Sequence, residues 1–148
     1  MTLPRYKGHR ERDDRIKSAI TAIKAILPLD LYPAHKRELL GICIWKITEA
    51  DGKLNTRFRS IGSLEADKHT KLQHEHVLEM KKIVGLLMQG EIPIEEVVSR
   101  AVGCVVTKEE HEKLTQISRN NTALDGWKRY LEAGIKVFDL DRRTEIDY

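Results

Sequence analysis

The sequence is poor in aromatic residues, and it has no long hydrophobic run. Only 5% of its 148 residues are aromatic, so the core must be built mainly from Ile, Leu, Val and Ala. No apolar run approaches the roughly 18 residues that a membrane span requires, and the polar N-terminus lacks the apolar segment of a signal peptide. We therefore expect a cytoplasmic protein with no membrane association.

The two cysteines, Cys43 and Cys104, are far apart in the chain and both have aliphatic neighbours. Such surroundings are typical of free, buried thiols in a reducing compartment, and we expect this state for both. The sequence also lacks GxSxG, P-loop and GxGxxG motifs. Acyl transfer at a nucleophile elbow, Walker-type nucleotide binding and Rossmann cofactors therefore have no support.

Charge is plentiful but unevenly distributed. Charged residues make up 33% of the chain and the net charge is +3, which permits a polyanionic partner without requiring one. We predict a basic N-terminal arm over residues 1–12 and one globular domain over residues 13–148. The residues selected as binding candidates are Arg10 and Arg12 in the arm and Arg57, Arg59, Lys68 and Lys71 in the 53–82 region.

The hydrophobic periodicity predicts a mostly helical α+β fold with five to six helices and a small two-stranded element in the C-terminal half. Asp13 or Asp14 is the expected cap of the first helix, and Thr107 and Glu110 have the spacing of a capping box. Six helical segments are predicted, namely 13–27, 34–50, 77–88, 94–101, 108–117 and 126–133. Ser60 or Ser63 is a candidate start for a short additional helix over 64–68. The predicted strands, which could pair with each other, are 104–106 and 135–138.

The apolar run over residues 39–47 leaves one alternative open, because periodicity does not separate a buried helix from a buried strand. We favour a helix, since Pro33 is a good first-turn residue. In the alternative, residues 42–48 form a strand, Asp51 and Gly52 form a turn, and residues 54–60 return as a second strand.

Three of the six histidines fall within one ten-residue segment, as His69, His74 and His76, and Glu75 separates the last two. Imidazoles and carboxylates bind transition metals and transfer protons. In an extended segment His74 and His76 project to one side and Glu75 to the other, whereas residues two apart on a helix do not face each other. An extended segment therefore predicts a divalent metal held by His74 and His76, with His69 or His111 as a third ligand.

The sequence Glu75-His76-Val77, followed by a predicted helix, resembles a short part of the HNH nuclease motif. The resemblance implies a metal-dependent phosphodiester hydrolase in which His76 and Glu75 are catalytic. In that family the following helix returns a His or Asn to the metal, and this chain has neither between Val77 and Glu110. Glu79 is a further catalytic candidate, because Glu79-Met80-Lys81 fits the carboxylate-x-lysine element of many nucleases.

Together these patterns favour an intracellular binding or regulatory protein that engages nucleic acid or a protein partner through the arm and the 53–82 region. One alternative is the metal-dependent, nuclease-like hydrolase. Another is a small subunit or inhibitor of a larger complex, of phage or mobile-element type. The imidazoles themselves also have a structural interpretation, in which they hydrogen-bond only to backbone or water.

Overall fold

The computed structural model describes residues 2–148, which form seven helices and one five-stranded sheet. The α+β class is therefore confirmed, with a larger sheet than expected. The helices are α1 (Arg12–Ile26), α2 (Pro33–Thr48), α3 (Ile61–Leu64), α4 (Met80–Gln89), α5 (Ile94–Ser99), α6 (Lys108–Asn120) and α7 (Trp127–Ala133). The strands are β1 (Phe58–Ser60), β2 (Leu72–His76), β3 (Gly103–Thr107), β4 (Val137–Asp139) and β5 (Thr144–Glu145).

Helix α2 decides between the two interpretations of the apolar run, and the hairpin is wrong. Pro33 occupies its first turn, where a missing N–H costs no hydrogen bond. The predicted cap of α1 is also wrong, because Glu11 precedes the helix and gives no side-chain cap. Asp13 and Asp14 lie in the first turn instead, where their charges favour the positive end of the helix.

Several helix ends follow directly from local chemistry. Gly90 ends α4 and Gly134 ends α7, both in the left-handed region with φ of 69° and 67°. The capping box is confirmed, since the Glu110 N–H donates to the Thr107 hydroxyl and the Thr107 N–H donates to the Glu110 carboxylate. The Ser60 hydroxyl caps α3, which therefore begins earlier than the predicted 64–68 helix.

The sheet has the order β2-β3-β1-β4-β5. Strands β1 and β3 are parallel, and the other neighbouring pairs are antiparallel. The predicted strands correspond to β3 and β4, but they do not pair with each other. Strand β1 lies between them and hydrogen-bonds to both.

The hydrophobic interior consists of two clusters. The first lies among α1, α2, α4 and α5, and its fully buried members are Ile23, Leu40, Ile44, Ile83 and Val97. The second lies where β3 and β4 pack on α6 and α7, and its fully buried members are Cys104, Val106, Leu114, Tyr130 and Val137. Burial of each large aliphatic side chain contributes about 1.5–3 kcal/mol. Both cysteines are free and buried, one in each cluster, as expected.

Strand β2 forms one edge of the sheet, yet most of it is buried. Residues 74–77 are all buried, because α2 covers the strand from one side and α6 and α7 cover it from the other. Both faces of this edge strand are therefore shielded from solvent. Among residues 2–148, no helix combines the length and apolarity needed to span a membrane.

Candidate functional site

The histidine-rich segment is divided by the strand that contains it. Residues 72–76 are extended as β2, so alternate side chains leave the sheet on opposite sides. His74 and His76 contact α2 and the segment that follows it, whereas Glu75 contacts α6 and α7. The predicted alternation is confirmed, and it separates Glu75 from the two imidazoles.

The two imidazoles lie in a closed environment. His76 Nε2 is 3.0 Å from Thr48 Oγ1, and the Trp45 ring packs edge-on against it with 4.3 Å between centroids. His74 Nδ1 is 2.7 Å from the Lys53 carbonyl, so Nδ1 carries the proton. Burial, with a smaller contribution from His74, lowers the pKa of His76 to about 4. Burial likewise lowers the pKa of His74, so both rings are neutral at pH 7.

Gly103 allows the His74 ring to lie directly against β3. A Cβ atom at this position would come within 2.6 Å of His74 Nε2, which is closer than any van der Waals contact permits. His74 Nε2 is buried without a hydrogen-bond partner in residues 2–148. The absence of a side chain at Gly103 is therefore required for the position of the ring.

The predicted metal site does not assemble in the structure. His69 lies in the exposed loop 67–71, apart from the buried pair of His74 and His76. Across the described part of the chain, no three His, Cys, Asp or Glu side chains are grouped so that they could hold a metal ion. The geometry thus gives no support to the proposed ligand set.

Glu75 belongs instead to a hydrogen-bonded cluster that runs from the interior to the surface. Its Oε2 accepts a hydrogen bond from His111 Nδ1, and its Oε1 lies 3.3 Å from Arg129 Nη2. The side chains become more accessible in order, with 2% exposure for Arg129, 11% for Glu75 and 40% for His111. The buried carboxylate therefore connects a buried cation to a solvent-accessible imidazole.

Arg129 holds several elements together. Its Nη2 also donates to the carbonyls of His76 and Val77, at 2.8 and 3.0 Å, and its Nη1 donates to Ser118 Oγ at 3.1 Å. These contacts link α7 to α6 and to the end of β2. Such multiple hydrogen bonding is what makes a buried guanidinium tolerable.

The three predicted catalytic residues are therefore only partly brought together. Glu79 is on the same side as Glu75, with Oε1 4.0 Å from Arg129 Nε and 3.3 Å from Lys82 Nζ. His76 is on the opposite side of the sheet. The imidazole that meets Glu75 is His111, which is carried by α6.

Three of the predicted binding residues have internal partners. Arg57 donates two hydrogen bonds to Asp139, at 2.8 and 2.7 Å, and this pairing lowers the pKa of the carboxyl group. Arg12 lies 2.6 Å from Asp51. Half-buried Arg59 donates to the Ser63 carbonyl at 3.2 Å.

The other three predicted binding residues, Arg10, Lys68 and Lys71, are exposed, and none has a carboxylate within 4 Å among residues 2–148. Loop 67–71 is ordered by Asp67, whose Oδ1 accepts the backbone N–H groups of His69 and Thr70. These bonds lower the pKa of Asp67.

A third lysine lies beside this loop. The N–H of Lys108 donates to the carbonyl of Lys71 at 2.9 Å, which joins the start of α6 to the start of β2. We refer to Lys68, Lys71 and Lys108 as the lysine surface. Arg57 precedes β1, which runs parallel to β3, so Arg57 and the arm beside it lie near the start of β3. The lysine surface lies at the other end of β3, where β2 begins. The two regions are therefore separated by about the length of β2, roughly 16 Å.

Arg129 and Lys108 were not selected from the sequence. Arg129 had no signal, because Trp127, Tyr130 and Leu131 at helical spacing indicate a buried face that does not include it. The structure instead buries Arg129 with Tyr130 and Ala133 and leaves Leu131 exposed. Lys108 had no signal, since only the pairing of β2 with β3 brings it to Lys71.

Comparisons of the chain with protein-family models, with curated proteins and with solved structures produced no match.

Proposed function

We propose that the protein binds nucleic acid, and that the lysine surface makes the principal contact with phosphates. The observation that carries this proposal is the exposure of Lys68 and Lys71 without carboxylate partners, next to Lys108. Phosphates attract such free ammonium groups, and binding releases condensed counterions. Exposed Arg10 provides a second contact at the other end of the sheet.

The charges around the lysine surface are consistent with this role. Glu112 is the nearest acidic partner on α6, and its carboxylate lies 3.9 Å from Lys108 Nζ, a distance typical of a weak exposed pair. Asp67 directs its Oδ1 to backbone N–H groups of its own loop. The side chains of Lys68 and Lys71 therefore remain available to an external anion.

The arm region contributes only through its exposed cations, because two of the arginines there have internal partners. Arg12 and Arg57 are both paired with aspartates, and releasing either would leave a partly buried carboxylate without its cation. Phosphate contacts in this region are therefore made by the exposed basic residues. Arg10 is the one among them that was selected from the sequence.

Fluorescence anisotropy with a labelled single-stranded DNA of mixed sequence tests the proposal. We expect affinity to fall steeply between 50 and 200 mM salt, as in other phosphate-dominated complexes. The double variant Lys68→Gln/Lys71→Gln should bind more weakly. A plot of the logarithm of its binding constant against the logarithm of the salt concentration should have a slope that is shallower by about 1.4. Each phosphate contact to single-stranded DNA contributes about 0.7 to this slope, and two contacts are lost.

Lys81→Gln is the matched control, because Lys81 is an exposed lysine beyond the other end of β2. This variant should retain most of the affinity and the slope. Binding that does not depend on salt, or no binding, would exclude the nucleic-acid function. Isolation of a stoichiometric protein partner in its place would then favour the protein-binding alternative.

A further inference from the structure

We propose that His111 is a general base that cleaves RNA at a phosphodiester next to a 2′-hydroxyl group, an inference that rests on the nucleic-acid binding proposed above. It assigns a chemical activity to the cluster of His111, Glu75 and Arg129 and selects RNA as the substrate class. The evidence lies in the orientation of the imidazole, its accessibility and its position beside the lysine surface.

The orientation of His111 is fixed by Glu75. A carboxylate paired with Arg129 accepts hydrogen bonds, so the proton of the neutral imidazole is on Nδ1 and the lone pair is on Nε2. No residue among 2–148 hydrogen-bonds to His111 Nε2. A buried carboxylate behind a partly exposed imidazole is the arrangement by which proteins orient a general base.

The position of His111 places this base beside the bound phosphates. His111 follows Lys108 by three residues in α6, so the two side chains are neighbours on one helix face. A shallow recess surrounds the imidazole on the outer side of α6. Its other lining residues are Glu109, Glu112, Lys113, Thr115, Gln116 and Arg119.

The reaction uses a nucleophile that the substrate already contains. His111 Nε2 removes the proton of the ribose 2′-hydroxyl, and the 2′-oxygen forms a bond to the adjacent phosphorus. The bond from phosphorus to the 5′-oxygen breaks, and the leaving oxygen takes a proton from water. Water then removes the proton from the imidazolium. The products are a 2′,3′-cyclic phosphate and a 5′-hydroxyl end, and deoxyribose cannot react in this way.

Glu75 and Arg129 act as positioning residues. The Glu75 carboxylate stabilises the imidazolium that forms during the reaction, and Arg129 keeps this carboxylate in place. Neither side chain has to contact the RNA. Their substitution should therefore lower the cleavage rate more than the affinity.

The test compares a labelled single-stranded RNA with DNA of the same sequence, at saturating protein concentration. We expect cleavage of the RNA with 2′,3′-cyclic phosphate ends, identified by mass spectrometry, and no cleavage of the DNA. His111→Gln should lower the rate by about 10²-fold or more, as loss of a general base typically does, while its affinity for the DNA stays unchanged.

Two further variants separate positioning from structure. Glu75→Gln should lower the cleavage rate without weakening DNA binding, and Glu75→Asp should recover part of the rate because it restores the charge. Asn120→Ala, which alters an exposed residue at the end of α6 outside the recess, is the control for general effects of substitution on this helix. Thermal melting checks that every variant is folded.

The outcomes distinguish the two proposals. If wild-type protein binds RNA but leaves it intact, the cleavage proposal is overturned and the binding proposal stands. If folded His111→Gln cleaves as fast as wild type, His111 is not the base. If neither RNA nor DNA binds, the proposed function itself fails, and the cleavage proposal fails with it.

Discussion

The imidazole of His76 is enclosed between the Thr48 hydroxyl and the Trp45 indole, where little water is available to solvate a positive charge. Its alternation with Glu75 could be predicted from the sequence, because the side-chain period of a strand is two. The neutral state of the His76 imidazole could not be predicted, because it depends on burial by a helix that lies about thirty residues earlier in the chain.

This burial predicts that stability falls with acid. The folded pKa of His76 is about 4, against about 6.5 in an unfolded chain. Between these values the unfolded state binds the proton more readily, so the free energy of unfolding decreases as pH falls from 7 towards 4. At pH 5 the expected loss from His76 alone is about 2 kcal/mol. His74 acts in the same direction.

Urea denaturation at pH 7, 6 and 5 measures this effect. The decrease in the free energy of unfolding between pH 7 and pH 5 should be much smaller in His76→Gln. It should be unchanged in His35→Gln, because His35 is an exposed histidine of α2. Equal pH dependence in wild type and His76→Gln would show that His76 is not the titrating group.

At the scale of elements, most local signals were accurate, apart from the cap of α1 and the start of α3, whereas the predicted pairing of strands was not. Gly90, Gly134 and the box of Thr107 with Glu110 mark helix ends by backbone and capping chemistry that lies within a few residues. Strand β1 could be placed only as one half of the hairpin alternative, because its segment is polar and its partners β3 and β4 are more than forty residues away. The sequence alone does not specify such a partner.

The cluster around Arg129 makes a prediction at the scale of elements, because it joins β2, α6 and α7. Arg129→Met leaves the Glu75 carboxylate buried without its cation, which typically costs about 3–5 kcal/mol. The double variant Arg129→Met/Glu75→Gln should recover part of this loss, since the uncompensated charge is removed. Chemical denaturation of the single and double variants measures the coupling.

Arg119→Met provides the comparison, because Arg119 is an exposed arginine near the end of α6. Its effect on stability should be within about 0.5 kcal/mol. Strictly additive costs of the Arg129 and Glu75 substitutions would show that the two side chains do not interact.

On the scale of the whole molecule, Asp51 attaches the N-terminal arm to the remainder of the protein. Its carboxylate accepts hydrogen bonds from the Tyr6 hydroxyl at 2.5 Å, the His9 N–H at 2.8 Å and Arg12 Nη1 at 2.6 Å. Burial, followed by the hydrogen bond to Asp51, raises the pKa of Tyr6 to about 12. Residues 2–9 form no helix or strand. The attachment of the predicted arm to Asp51 could not be foreseen, because Asp51 is about forty residues away in the sequence.

The attachment predicts how fast the arm opens. Asp51→Asn removes the charge that pairs with Arg12 and one of the two acceptor oxygens, so local opening should become more frequent. Trypsin should then cleave after Arg5, Lys7 and Arg10 on the order of tenfold faster, which corresponds to about 1.4 kcal/mol of lost attachment.

Mass spectrometry of a digestion time course measures these cleavages. Asp13→Asn is a suitable control, because Asp13 is exposed in α1 and should not alter the rate. Unchanged cleavage in Asp51→Asn would mean that other contacts hold the arm.

The two different surroundings of β2 also bear on how the sheet avoids mispairing. A slip of one residue against β3 would turn Glu75 towards Trp45 and present an imidazole to Arg129. That arrangement would bury a carboxylate without a cation and place Arg129 beside a group that cannot neutralise it. A misaligned strand is therefore disfavoured by charge even where its hydrophobic contacts are tolerable, and folding intermediates with that error should be short-lived.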